Sequence, residues 1–310
     1  MALDTATQEF LGQMARQSPP DAKPMWEMTP GEARAMGAAL LGFYGAGPDM
    51  EHVEERRLKG EDGGEFTVRI LRPKPMTDAV IVYYHGGGWV VGHINEFDTL
   101  GRKLAESTGA TVVLVDYRLA PEFPFPTPVN DAWSALVWAD GHREELTGTT
   151  AADLVVAGDS AGGNLAAVVA LRSRDRQGPL IDRQVLVYPV TDADLDNGSY
   201  SDPENALMLT RQSMVWFWDH YAPLTERNNP EVAPLRAADL SNLPPAIVLT
   251  ASNDVLRDEG EAYARRLADA GVPVQHRRFD GQMHGFFTMV NVLPGSAEAL
   301  GYITKQLGRK

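Results

Sequence analysis

Leu154-Val155-Val156-Ala157-Gly158-Asp159-Ser160-Ala161-Gly162-Gly163-Asn164-Leu165 reads as a short buried strand, a tight turn and the start of a helix. Glycines two positions either side of Ser160 let a strand and a helix approach without Cβ clashes, and the serine between them takes a strained backbone that lifts its hydroxyl above the sheet edge. Alone the GxSxG spacing is weak: glycine at roughly 7% usage gives about one chance match in ten chains of this length. The flanking strand and helix give the pattern its weight, against the plainer reading of a glycine-rich turn capped by serine.

Outward from this turn, apolar runs alternate with helical patterns. Ala79 to Tyr84, Thr111 to Asp116, Leu154 to Ala157, Gln184 to Val190 and Ala246 to Thr250 read as buried strands, Val274 to Phe279 as a weaker sixth, and Glu65 to Pro73 as an earlier one. Helical patterns fall at Glu96 to Ser107, Pro128 to Glu145, Gly163 to Arg174 and Glu259 to Ala270, with Ala297 to Leu307 closing the chain. The expected class is therefore α/β, with a mostly parallel central sheet flanked by helices. Two segments break the rhythm. Residues 1 to 50 read as amphipathic helices with Met14, Met25, Trp26 and Met28 between them; about 194 to 228 concentrates Leu207, Met208, Leu209, Trp216, Phe217, Trp218 and Tyr221. Together they are expected to form a helical cap over a catalytic domain of residues 51–193 and 229–310, the plainer alternative being a docked hairpin whose aromatics are core.

The 310 residues suit one core with an insertion, and 44% hydrophobic with 23% charged residues suit a packed globular chain. A formal net charge of −14 repels phosphate backbones and anionic lipid, so nucleic-acid and membrane-surface partners are disfavoured. With no cysteine, disulfides, thiolate metal sites and a cysteine nucleophile are excluded, and a reducing compartment, the cytoplasm by default, is expected. Met1 to Gln17 does not read as a signal peptide, and Ala79 to Tyr84, the longest strongly apolar run, is too short to span a bilayer. Neither a repeat nor a Gly/Ser linker divides the chain.

Tyr84 runs into His85-Gly86-Gly87-Gly88-Trp89, and the amides of Gly86, Gly87 and Gly88, with that of Ala161 after the serine, are candidate donors to an oxyanion. A phosphate-cradling loop is the weaker reading, for want of the P-loop lysine and of GxGxxG spacing. The base that takes the hydroxyl proton is expected to be a histidine on a loop near the same sheet edge; of the seven, His284 in Gly281-Gln282-Met283-His284-Gly285-Phe286 follows the last expected strand and falls after the serine in chain order. His85 belongs to the glycine loop, and His52, His93, His142, His220 and His276 lack comparable placement. For the orienting carboxylate, Asp254 ends the strand Ala246 to Ser252 and is preferred, with Asp258 and then Asp192 as alternatives. Met208, Leu209, Trp216 and Phe217, together with Trp89, are candidate substrate-binding residues. Asp159 is expected to pair with Arg118.

On these residues the chain resembles the hormone-sensitive lipase-like, bacterial family IV esterases of the α/β-hydrolase fold. His85-Gly86-Gly87-Gly88-Trp89 is similar to that family's oxyanion motif, Gly158-Asp159-Ser160-Ala161-Gly162 to its GDSAG elbow, and Asp254-Val255-Leu256-Arg257-Asp258-Glu259-Gly260 to its DPLRDEG acid motif. Tyr117-Arg118-Leu119-Ala120-Pro121-Glu122 and Met283-His284-Gly285-Phe286 are two further matches in family order. The resemblance implies a carboxylesterase working through an acyl-enzyme, with Asp254 as triad acid, an N-terminal cap, a preference for short to medium acyl chains and a tendency to form homodimers. Val255 stands where that family usually has proline, and Asn253 where tyrosine often precedes the acid, which bears on the rigidity of this loop. Neither metal nor organic cofactor is expected, since HExxH and cysteine clusters are absent. Rival readings keep the triad on amides, peptides or carbohydrate esters, or make the scaffold a non-catalytic small-molecule receptor. The presence of His284 argues against the receptor.

Overall fold

The computed structural model describes residues 2–19, 22–39 and 41–308. Its strands are β1 (His52–Lys59), β2 (Glu65–Arg72), β3 (Ala79–Tyr84), β4 (Thr111–Asp116), β5 (Asp153–Asp159), β6 (Arg183–Val187), β7 (Ala246–Asn253) and β8 (Val274–Met283). They form one sheet in the order β1-β2-β4-β3-β5-β6-β7-β8. β1 and β2 are antiparallel to their neighbours, and from β4 to β8 every pairing is parallel. The parallel strands therefore deliver their carboxyl ends, and the loops that follow, to a single rim.

The helices are α1 (Thr5–Gln17), α2 (Pro30–Ala39), α3 (Leu41–Tyr44), α4 (Ile94–Thr108), α5 (Thr127–Gly141), α6 (Arg143–Thr147), α7 (Ala161–Arg176), α8 (Gly198–Ser201), α9 (Arg211–Tyr221), α10 (Arg257–Asp269) and α11 (Pro294–Gln306). One face of the sheet is covered by α5, α7 and α10, the other by α1, α4 and α11. Burial on both faces is why β3 (AVIVYY) and β4 (TVVLVD) read as continuous apolar runs. β1, HVEERRLK, was not anticipated, because an edge strand needs only one apolar side and its charges hide the period. The sequence expectation carried β6 to Val190, but the chain leaves the sheet after Val187 and turns at Tyr188, whose φ is 34°. The helix expected over Pro128 to Glu145 is two, α5 and α6, joined at a non-helical His142.

In the two segments outside the alternation, α2 opens on a capping box: Thr29 N donates to Glu32 Oε2 at 2.8 Å and Glu32 N to Thr29 Oγ1 at 3.2 Å. Arg34 on α2 donates to Val90 O, Ala120 O and both oxygens of Glu122, tying this helix to the chain just past the glycine loop. Asp4 N donates to Gly281 O at 3.1 Å, ahead of the His284 loop. The turn Met25–Glu27 packs on α9, which links the two segments. Among the described residues no helix is long and apolar enough to cross a membrane.

Glu259, near the start of α10, is 2% exposed; its Oε1 accepts Thr191 N at 2.8 Å and Asp192 N at 3.2 Å, pinning the loop after β6. Burial raises its carboxyl well above the usual range. A pKa raised on folding contributes stability at low pH that is lost as pH climbs past the unfolded value. Glu259→Gln, which keeps the acceptor without the charge, should therefore gain stability relative to the parent as pH rises above the ordinary carboxyl value of 4.5 in urea titrations; a pH-independent difference contradicts the burial of this charge.

Candidate active site

β5 runs into α7 through Ser160, whose φ of 55° and ψ of −118° lie outside the usual regions for a residue with a side chain. The strain is held from both sides: Ser160 N donates to Val187 O at 2.9 Å, and Ser160 O accepts Val190 N at 3.1 Å and Asn164 N at 3.0 Å. The flanking glycines are sterically required. A Cβ on Gly162 would stand 1.9 Å from Tyr84 O, and one on Gly158 2.3 Å from the Gly162 backbone.

His284 reaches this turn from the loop after β8, and Asp254 from the loop after β7. His284 Nε2 lies 3.1 Å from Ser160 Oγ, and His284 Nδ1 2.8 Å from Asp254 Oδ2. With the Asp254 carboxylate accepting a hydrogen bond from Nδ1–H, the Nε2 lone pair is left to accept from the hydroxyl. Asp254 is fully buried and its Oδ1 accepts Leu256 N at 2.9 Å. Val255 and Asn253, where the sequence departs from the family pattern, are buried, and Ser199 Oγ donates to Val255 O at 2.6 Å, so the loop is held without the proline. Asp258 instead accepts Ser199 N, and Asp192 pairs with Arg236. Of the remaining histidines, His85 is stacked between Tyr117 and Phe97 with ring centroids 4.3 and 5.0 Å away. Burial lowers its pKa and keeps the ring neutral. The others bond Glu54, Asp116, Trp138, Trp216 and Thr250 away from Ser160.

The glycine loop lies alongside. Gly87 (φ 111°) and Gly88 (φ 56°) need the freedom of glycine, and a Cβ on Gly88 would meet the Phe217 ring at 2.1 Å. Their amides, and that of Ala161 at the amino end of α7, meet no protein acceptor among the described residues. Gly86 departs from the sequence expectation: its amide donates to Asp159 Oδ1 at 2.9 Å and is already used. Arg118, expected on Asp159, is bound instead to Asp131 and Asp62 at 2.6 and 2.8 Å.

A cavity of about 190 Å³ opens over Ser160 and His284. Of the candidate substrate-binding residues, Met208, Leu209 and Phe217 line it. Trp89 and Trp216 do not: Trp89 is stacked on Tyr221 at 4.0 Å within the core, and Trp216 packs on Phe217 and His220. Sequence reasoning did not single out Tyr44, Met214 or Met289 on the cavity wall, nor Tyr188, whose ring centroid lies 4.6 Å from that of His284. The strained turn at Tyr188 leaves no mark in composition. Larger hollows of about 560 and 390 Å³ lie elsewhere on the surface, and neither contains Ser160 or His284. Among the described residues no group of three His, Asp or Glu side chains is arranged to hold a metal ion.

A family model described as alpha/beta hydrolase fold matches residues 81–288. The chain is similar to a carboxylesterase of Mycobacterium tuberculosis, 41% identical over an alignment of 256 residues, with 80% of this chain and 80% of the other covered. It is also similar to an ethyl acetate hydrolase of Pseudomonas putida, 37% identical over 92% of this chain and 91% of the other. Among solved structures, an ester hydrolase from the metagenome of Lake Arreo, bound to a bipyridine phosphonate derivative, superposes with a TM-score of 0.92 at 34% identity, covering 99% of this chain and 98% of its own. The hyperthermophilic esterase of the archaeon Pyrobaculum calidifontis gives 0.87 at 37% identity over 98% and 97% of the two chains.

The crossing of α7 over β3 predicts that Gly162→Ala costs about 4 kcal/mol or more, or prevents folding, because the methyl would have to displace backbone. Gly301→Ala on the exposed side of α11, with no atom within 4 Å of its Cβ, should instead stabilise by about 0.5–1 kcal/mol. Denaturant melts of both variants check the contrast; equal effects contradict it.

Proposed function

The chain belongs to the alpha/beta hydrolase fold family, and from that premise we propose that it is a carboxylesterase in which Ser160 is nucleophile, His284 general base and acid, and Asp254 the orienting carboxylate. The observation that carries this reading is the continuous relay Asp254–His284–Ser160, at 2.8 and 3.1 Å, opening into a cavity beside unengaged amides. As Ser160 Oγ adds to the ester carbonyl, His284 Nε2 takes its proton, and the imidazolium formed is stabilised by the Asp254 carboxylate. The carbonyl oxygen gathers negative charge against the amides of Gly87, Gly88 and Ala161, the last helped by the positive end of the α7 dipole. His284 returns the proton to the departing alcohol; water, activated by the same imidazole, then releases the acid. The names of the similar proteins, a carboxylesterase and an ethyl acetate hydrolase, agree with this chemistry.

Residues 1–50 and about 194–228 act in this reading as the cap. Met25 and Tyr44 from the first segment, with Met208, Leu209, Met214 and Phe217 from the second, enclose the substrate side of the cavity. At about 190 Å³ that space fits a short acyl chain, below the 300–1,000 Å³ usual for drug-sized ligands.

Ser160→Ala and His284→Ala should each lower kcat on p-nitrophenyl butyrate by about 10⁶-fold, since such groups act as a unit. Retained turnover in either purified variant overturns the assignment, and faster cleavage of the matching amide than of the ester would make the enzyme an amidase. On a p-nitrophenyl series from acetate to palmitate, Phe217→Ala should move the optimum to longer chains. Trp89→Ala should mainly destabilise, by about 3–5 kcal/mol. A shifted optimum from Trp89→Ala and none from Phe217→Ala would reverse the pocket assignment.

A further inference from the structure

The last paired residues of β3 and β5 are Tyr84 and Gly158. Beyond them one chain enters the glycine loop and the other reaches Ser160, so backbone ladder bonds no longer set the distance between oxyanion donors and nucleophile. The next rung is a side chain. Asp159 Oδ1 accepts the Gly86 amide at 2.9 Å and the Tyr83 hydroxyl at 2.7 Å. Contact is close: a Cβ on Gly86 would lie 2.3 Å from Asp159 Oδ2.

We propose that Asp159 is a positioning residue for the esterase reaction: by holding the Gly86 peptide it aims the amides of Gly87 and Gly88 at the carbonyl oxygen of the ester bound over Ser160. The inference rests on the triad reading above. An oxyanion hole works through donors fixed within a few tenths of an ångström, and two glycines at positive φ cannot supply that fixity themselves.

The setting of Asp159 argues for function over stability. Its carboxylate is 3% exposed and Arg118, the cation nearest in sequence expectation, is engaged elsewhere. Burial pushes it up to about 6. The titratable groups that face it are Tyr83 on β3, Tyr117 after β4, Tyr188 after β6, Tyr44 on α3 and His284 after β8. Burial raises the pKa of all four tyrosines, which stay neutral; His284 becomes cationic in each half-reaction. A buried carboxylate without a permanent counter-ion lowers stability, and residues of that kind concentrate where chemistry needs them.

Asp159→Ala should lower kcat about 10²-fold while KM stays within about threefold, the signature of a lost transition-state interaction. Asp159→Asn keeps an acceptor oxygen and should recover at least about tenfold of that loss, with a melting temperature at pH 8 no lower than the parent's. Wild-type kcat in Asp159→Ala, or an Asn variant as slow as the Ala variant, overturns the proposal. If Asp159→Ala does not fold, Tyr83→Phe carries the test: a fall of about three- to tenfold in kcat at unchanged KM supports the brace, and unchanged kcat sinks it. Ser160→Ala separates the two readings: if it retains hydrolysis the triad itself is wrong, whereas an inactive Ser160→Ala beside a fully active Asp159→Ala removes only the brace.

Discussion

Everything at the rim depends on one residue held where a side chain does not want to be. Ser160 keeps its positive φ because Val187 O, Val190 N and Asn164 N hold its own peptide groups. Those partners exist only because β6 lies next to β5 and because α7 begins at once. The strain is therefore distributed through the sheet, and the glycines at 158 and 162 are the steric condition for it. Once the hydroxyl is fixed above the strand ends, the parallel topology brings His284 and Asp254 to it from the two strands that complete that side of the sheet.

Electrostatics follow from the same depth of burial. Asp254, Asp159 and Glu259 are carboxylates at or near the rim with almost no exposure, each held by backbone amides, a tyrosine hydroxyl or an imidazole instead of a lysine or arginine. Backbone donors are rigid and neutral, so they orient an acid without the flexibility of a long cationic side chain. Ion pairs with arginine hold other acids: Asp62 and Asp131 on Arg118, Glu231 on Arg172, and Glu122 on Arg34.

Much of this was legible in the amino-acid order, for identifiable reasons. β3 and β4 announced themselves because strands buried on both faces admit only apolar side chains, and the elbow because its sterics demand glycine at fixed offsets. His284 and Asp254 followed from chain order and strand ends. What stayed hidden depends on three-dimensional direction. Trp89 and Phe217 are equally apolar in a sequence, yet one is stacked into the core and the other faces the cavity. Three consecutive glycines offer three similar amides, and only the fold reveals that the first is engaged by Asp159. β1 carries its charges as an edge strand should, and so lost the apolar period by which strands are recognised.

The crowding around Gly87 and Gly88 has a consequence for how such a molecule can change. A Cβ at either position would strike the Val91 carbonyl or the Phe217 ring, and both backbones are in mirror-image territory that other residues avoid. The glycine loop thus offers no side chain to vary at these two positions, and the elbow almost none. In the reading proposed above, adaptation to a new ester would be written into the cavity-lining Met208, Leu209, Met214 and Phe217, while the loops beneath stay as they are. The division resembles an interchangeable tool head on a fixed spindle: diversity of diet with constancy of chemistry, enforced by the absence of room for a methyl group.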